Sequence, residues 1–302
     1  WQKAIIDFRQ TLSQKLSALR PPSSYLAQAS LLGQKEALTT EMKQILSRSG
    51  LSHLMAISGL HISILSLLML NFLLLLTIPR PYAFYFTSVW LWSYIILINM
   101  PASAVRAGIM GWLVLLAVYL GRLNRSLNAL ILAATIMLLW QPQALFYDVG
   151  FQLSFTAVLG ILYLYPIIKN YLSAIKYQAI QNILAITLSA QLAVWPLLAY
   201  HFESISLIAP LANLLVIWLM PLILVALIIG LGLSWLIPSL TIAWFLPANW
   251  SLNYIWWIAK TTANLPQAYI VTSNFLWLII GYYCCLILGI YYYQKKYQKN
   301  SN

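Results

Sequence analysis

Between residues 51 and 293 the chain carries only nine charged side chains: Arg80, Arg106, Arg122, Arg125, Asp148, Lys169, Lys176, Glu203 and Lys260. The rest of that stretch is long apolar runs. Soluble domains are about 25% charged, whereas this chain is 62% hydrophobic and 7% charged, so a water-soluble enzyme is excluded. A bilayer crossing takes about 20 mostly apolar residues, and in lipid every backbone polar group must be satisfied within the protein. The expected fold class is therefore all-α: a polytopic integral membrane helix bundle of about seven or eight spans, with amphipathic interfacial helices. No room is left for a large aqueous domain.

Ten further charges fall in residues 1–50, and Lys295, Lys296 and Lys299 close the chain. Composition thus divides it into an amphipathic helical lead-in at the membrane surface (1–50), a transmembrane domain (51–293) and a basic polar tail (294–302). In the lead-in, Trp1, Ile5, Phe8, Leu12, Leu16 and Leu19 recur every three or four positions, with Lys3, Asp7, Arg9, Gln10 and Lys15 on the other faces. This predicts a helix stopped by Arg20-Pro21-Pro22. A short apolar helix over 25–32 follows, then one over 41–48 with Thr39 or Thr40 as N-cap and Gly50 as its stop. Such helices lie on a bilayer or pack on a folded domain, and the residues leave both open. The start at Trp1, without the short apolar core of a signal peptide, reads as a segment of a longer polypeptide.

Spans are expected over 54–78, 82–100, 103–120, 127–147, 150–168, 179–200, 207–237 and 269–293. The fourth is interrupted by Gln141-Pro142-Gln143. The seventh is too long for one plain crossing and carries Pro210, Pro221 and Gly230, so it is kinked or partly lateral. Residues 239–263 mix Trp244, Trp250, Trp256 and Trp257 with Asn249, Asn253 and Lys260, which suits a helix in the headgroup region. Alternating loops put Arg80, Arg122, Arg125, Lys169, Lys176 and Lys260 on one side, cytoplasmic by the positive-inside rule. The amino segment, the Asp148 loop, the His201/Glu203 loop and the carboxyl tail are then external, and the later assignments flip if 207–237 crosses twice.

A polar group at membrane depth is costly unless it faces protein or water, so each one is a candidate for a transport path. The densest cluster opens the first span: His53-Leu-Met-Ala-Ile-Ser58-Gly59-Leu-His61-Ile-Ser63. His53 and His61 are eight apart, about 12 Å on a continuous helix, too far to share a metal unless Gly59 breaks it. A small-residue packing helix is the alternative reading of this cluster. Arg106 either snorkels to the interface or projects into an aqueous path, where a guanidinium suits phosphate. Asp148 either caps the next helix or pairs with a base. Gln152, Ser154 and Thr156 give that helix a polar face, and Ser189, Gln191 and Asn213 continue the theme. Aromatic residues facing a channel would stack on bases. The adjacent Cys284 and Cys285 fit neither a disulfide scaffold nor a zinc site, and no cofactor or metal is expected.

At these same stretches the chain resembles the integral-membrane competence domain of the ComEC-type DNA-internalisation proteins. The matching pieces run from Arg48 through Gly50, His53, Ser58, Gly59 and His61, then from Ala104 through Arg106 and Gly108. Asp148-Val-Gly150-Phe-Gln152-Leu-Ser154 and Ser206-Leu-Ile-Ala-Pro210-Leu-Ala-Asn213 follow in family order. The resemblance implies a multi-pass protein of the bacterial cytoplasmic membrane that admits one DNA strand during natural transformation. It also implies partners: single-stranded DNA, the lipid bilayer, other competence proteins, and external oligonucleotide-binding and nuclease-like domains of the same longer polypeptide. With three histidines in all, this chain lacks a His-x-His-x-Asp-His metal motif, so no nuclease step and no catalytic residue are expected in it.

On this reading Ser58, His61, Ser103, Arg106, Gln152 and Asn213 are the candidate path residues, and His53, Gly59, Asp148 and Gly150 are structural or gating candidates. Two other classes compete. A small-molecule transporter would also use broken helices and midplane polar groups, but the span interiors lack the acids used for ion coupling. An intramembrane serine hydrolase would use Ser58 as nucleophile with His61 or His201 as base.

Overall fold

A computed structural model describes residues 2–55, 57–119, 126–202, 204–266, 269–271 and 276–299. In chain order the helices are α1 (Gln2–Leu16), α2 (Ser23–Leu32), α3 (Thr40–Arg48), α4 (Gly59–Leu75), α5 (Arg80–Leu97), α6 (Ala102–Tyr119), α7 (Ser126–Trp140) and α8 (Ala144–Tyr147). They continue as α9 (Val149–Tyr171), α10 (Gln178–Phe202), α11 (Ala209–Val216), α12 (Met220–Leu236), α13 (Thr241–Trp244), α14 (Leu246–Ala263) and α15 (Leu276–Lys299). Two three-residue strands, β1 (Ser204–Ser206) and β2 (Tyr269–Val271), pair antiparallel with Ile205 opposite Ile270. Contacts group the chain into two compact units: residues 1–125 with 211–268, and residues 126–210 with 269–302.

Apolar stretches with the length and hydropathy to cross a membrane are 52–75, which contains α4, and Val149–Tyr171, Gln178–Phe202 and Ala209–Leu236. Ala102–Leu116, Leu127–Trp140 and Ile279–Tyr293 are apolar but shorter. Apolar side chains also cover the outside: Leu75 and Leu139 are each 80% exposed and Trp140 91%. Such a surface would drive association in water and suits lipid.

In the first unit, residues 1–50 share one core with the helices after them. Leu16, Leu26, Leu32 and Leu46 are buried together with Ile62, Leu91, Ile223 and Ile255. α14 lies at the centre of this packing, against α2, α3 and α12. Its Ala248, Leu252, Ile255 and Ala259 recur at helical spacing and are fully buried, while Trp250 and Trp257 stay exposed. The headgroup-type composition therefore belongs to one face of α14, and the other face is core.

The lead-in differs from its periodic pattern in three ways. α1 stops at Leu16, before Arg20, and Leu19 is buried from the turn beyond it. Phe8 and Ile6 are exposed, although Phe8 was expected on the apolar face. Arg9 and Lys15, expected outward, reach inward to helix C-termini. Arg9 donates to the Leu32 carbonyl at 3.1 Å, and Lys15 Nζ to the Ser234 carbonyl at 2.9 Å while lying over Trp235. A cation at a helix C-terminus satisfies orphan carbonyls and complements the macrodipole. Further on, Thr39 caps α3 through the Met42 N–H, and Gly50 takes φ +76° after it.

In the second unit α9 and α10 pack closely over Gly160, where an added Cβ would collide with Ala193 Cβ and the Ser189 carbonyl. The interrupted fourth span is α7, a break at Gln141-Pro142, and the single turn α8. The expected helix over 269–293 does not begin at 269. Tyr269-Ile270-Val271 follows Pro266 and is aromatic and β-branched, and it pairs as β2 before α15 starts at Leu276. α15 then runs through the basic tail to Lys299. At its far end the Asn170 amide donates to the Tyr293 hydroxyl at 3.3 Å, so the carboxyl tail lies at the same end of the unit as Lys169 and Lys176. This corrects the loop count made with 207–237 crossing once, which placed the tail opposite them, and agrees with the count in which that run crosses twice.

Candidate functional site

The first polar cluster is built by a helix break. Residues 52–54 form one tight turn and α4 begins at Gly59, with Ser58 extended at φ −117° as its N-cap. His61, three residues on, folds back over the cap. The Ser58 N–H donates to His61 Nδ1 at 3.4 Å, and Ser58 Oγ stands 3.0 Å from the same nitrogen. This is a capping box with imidazole in the place usually held by Glu or Gln. A nitrogen approached by a backbone N–H can only accept, which fixes the ring proton on Nε2. His61 is fully buried, and among the described residues the Leu54 backbone is the group beside its ring, with no well-aligned acceptor on Nε2. His53 is separate: it is exposed, with Nδ1 3.0 Å from the Gly50 carbonyl.

α6 brings the next two candidates to this break. Ser103 Oγ donates to the Ile57 carbonyl at 2.8 Å, satisfying a backbone group left by the missing helical turn. One turn later a Cβ on Gly59 would sit 4.0 Å from Ala107 Cβ, an ordinary contact, so the two helices lie side by side here with room for a methyl group. Arg106, next to Ala107 and one turn from Ser103, is 4% exposed. It does not snorkel out of the protein; it is enclosed beside the α4 break. Asn213 of α11 is 7% exposed with its Oδ1 unpartnered, and its neighbours Ala212 and Val216 belong to the same core as Ile57, Ile62 and Ala104. The long apolar run that carries it is broken at residues 217–219, where a 3-10 turn joins α11 to α12.

Gln152 and Asp148 lie in the other unit. Asp148 Oδ1 accepts from the Phe151 N–H at 3.0 Å and so caps α9, with Gly150 in its first turn. Gln152 Nε2 donates to the carbonyls of Leu145 and Phe146 at 3.0 and 3.1 Å, closing off α8. Its Oε1 accepts from His201 Nε2 at 2.9 Å, which ties the start of α9 to the end of α10. Here Gln152 is a clamp. Sequence reasoning considered His201 only as an alternative base; the pair is 49 residues apart and no local pattern announces it. Gln191 is a further missed joint, donating to the Ser206 carbonyl of β1 at 2.9 Å.

The candidate path residues thus divide. Ser58, His61 and Ser103 come together at one broken helix start, and buried Arg106 follows Ser103 by one turn of α6. Residues 30–296 match the family profile described as Competence protein. The chain belongs to the competence protein family. All the residues discussed above except Arg9 and Lys15 and the other residues before 30 or after 296 fall inside that match. The chain is 30% identical over 220 residues to the ComE operon protein 3 of Bacillus subtilis (strain 168), covering 72% of this chain and 26% of that protein. It is 27% identical over 279 residues to the uncharacterized protein YcaI of Escherichia coli (strain K12), covering 85% of this chain and 35% of that protein. The competence-family chain therefore spans about a quarter to a third of the length of these relatives. No solved structure matches it.

Proposed function

We propose that this chain is a membrane channel domain that passes single-stranded DNA across the bacterial cytoplasmic membrane during natural transformation, lying there as a multi-pass protein. The observation that carries the reading is the polar group at the α4 break: buried His61 against Ser58, Ser103 on the Ile57 carbonyl, and buried Arg106 one turn beyond Ser103, among apolar helices of a competence-family chain. A strand brings one phosphate per nucleotide, and a tube of permanent positive charge would trap it. One guanidinium with hydroxyls and an imidazole N–H gives weak, releasable contacts. The partners of this reading are single-stranded DNA, the bilayer, other competence proteins, and nuclease and oligonucleotide-binding domains outside these residues.

Replacing Arg106 with Ala should lower transformation frequency by about tenfold or more at unchanged membrane abundance, the scale for losing one buried charged contact. Arg106→Lys should recover only part, because a point charge lacks the bidentate fork. Unchanged transformation in Arg106→Ala would remove this residue from the path. Uptake of labelled single-stranded DNA into vesicles holding the protein separates the conduit from a small-molecule transporter.

One observation favours a second reading. Ser58 Oγ lies 3.0 Å from an unprotonated His61 Nδ1, the contact a hydrolase dyad needs. That nitrogen also takes the Ser58 N–H, and the ring's other polar neighbour is the Leu54 backbone, not a carboxylate of the kind a triad supplies. The conduit reading therefore expects no fluorophosphonate adduct on Ser58, and stoichiometric labelling lost in His61→Ala would establish the hydrolase instead.

A further inference from the structure

The second unit holds an open groove of about 690 Å³ between α9, α10 and α15, lined by none of the candidate path residues. Its apolar walls include Leu164 and Ile167 of α9, Leu192 of α10, and Leu286, Gly289 and Ile290 of α15. The groove is open beside Gly289, where an added Cβ would meet nothing within 4 Å. The helices are pinned at both ends of the gap. Tyr282 and Tyr283 donate to the Leu192 and Ala193 carbonyls at 2.9 Å, and Asn170 donates to Tyr293 at 3.3 Å. Hydrogen bonds at the two ends make this a spaced groove, not a contact that closes on itself.

Its length and polarity point to an occupant. From Tyr282 to Tyr293 the groove runs about 16 Å at the helical rise, half of a hydrocarbon core of about 30 Å, and so the depth of one leaflet. The Tyr293 end is aromatic and basic. Tyr171 and Tyr292 line it; exposed Lys176 lies in the loop just after Tyr171, and exposed Lys295 and then Lys296 follow Tyr293 along α15. Lys169 is already engaged, its Nζ on the Tyr165 hydroxyl at 3.2 Å. Asp148 lies at the opposite end of α9. An apolar trough one leaflet deep that ends in tyrosines, with lysines in the adjoining loop and helix end, is complementary to an acyl chain carrying a phosphate.

We infer that this groove binds one anionic glycerophospholipid, its acyl chain along Leu164, Leu192 and Gly289 and its phosphate at the Lys176 and Lys295 end. The lysines select an anionic headgroup over a zwitterionic one, and the lipid fastens α15 to the α9–α10 pair. The inference rests on the membrane reading of the chain and is independent of the DNA path.

The test uses the intact chain in phosphatidylcholine nanodiscs doped with phosphatidylglycerol or phosphatidylcholine bearing an acyl diazirine, with adducts mapped by mass spectrometry. The phosphatidylglycerol probe should label residues 164–171 and 285–293, roughly tenfold more than the phosphatidylcholine probe, as expected for two lysines near an anionic headgroup. Lys176→Gln with Lys295→Gln should erase the headgroup preference and keep the acyl adducts. Gly289→Trp should remove the adducts; should that variant fail to fold, competition by unlabelled phosphatidylglycerol against the wild type gives the same reading. Equal labelling by the two probes overturns the proposal, as do adducts spread over outer positions such as Leu139, displacement by a single-stranded oligonucleotide, or cross-links joining two copies through α15.

Discussion

At the scale of single residues, the α4 break shows what an apolar sequence can and cannot disclose. A hydroxyl, imidazole or guanidinium within an apolar run stands out because burial there needs a partner or a purpose, so Ser58, His61, Ser103 and Arg106 were legible as a set. Their bonds were not, because they depend on where the helix stops. Ser103 is the clearest case: its hydroxyl, 46 residues from Ile57, answers a carbonyl that the missing turn leaves open. Ser103→Ala should therefore lower stability by about 1–3 kcal/mol, the cost of an unsatisfied buried group, and Ser103→Thr should recover most of it. A thermal melt in detergent reads both; an alanine variant as stable as the parent would mean that Ile57 finds another donor. Arg9 and Lys15 fall on the illegible side for a related reason. Periodicity assigned them to solvent, and only the placement of the α2 and α12 C-termini draws them in.

Elements were read best where one residue forces the outcome. The Gln141-Pro142 interruption, the Thr39 cap and the broken run through Pro210 and Pro221 all appear where backbone chemistry requires them. β2 was missed because three β-branched and aromatic residues inside an apolar stretch read equally as helix, and the partner β1 lies far away in sequence. Gly230 and Gly232 in α12 separate packing from propensity within one turn. A Cβ at Gly230 would sit 2.6 Å from Phe245 Cδ1, and Phe245 is fully buried in the core of its unit. A Cβ at Gly232 would meet nothing within 4 Å. Gly230→Ala should thus cost about 1–3 kcal/mol through overpacking. Gly232→Ala should be neutral or stabilise by up to about 1 kcal/mol through helix propensity. Paired melts check the difference, and equal effects would mean that Phe245 moves aside freely.

For the whole chain, the charge count that identifies a membrane protein also orients it, provided the right ends are grouped. Counting loops along the sequence, with 207–237 crossing once, put Lys169 and Lys176 on one side and the tail on the other. Geometry within the second unit regroups them. β1 follows α10 and pairs with β2, which precedes α15, so α15 starts at the His201 end and brings Tyr293, near its far end, beside Asn170. Lys169, Lys176, Lys295, Lys296 and Lys299 then share one end, with Asp148 at the other. A single-sign end of this kind is what the positive-inside rule places in the cytoplasm, and the regrouped tail supports that orientation where the loop count opposed it. The prediction is a labelling pattern in cells. With Cys284 and Cys285 replaced by Ala, cysteines at Lys176 and Lys299 should both resist a membrane-impermeant maleimide until the cells are opened. A cysteine at Gln143, in the exposed turn before α8 at the Asp148 end, should react at once. Opposite accessibility at positions 176 and 299 would contradict the α9–α15 arrangement, and with it the lysine-rich mouth of the lipid groove; equal but external labelling would keep the arrangement and reverse its orientation.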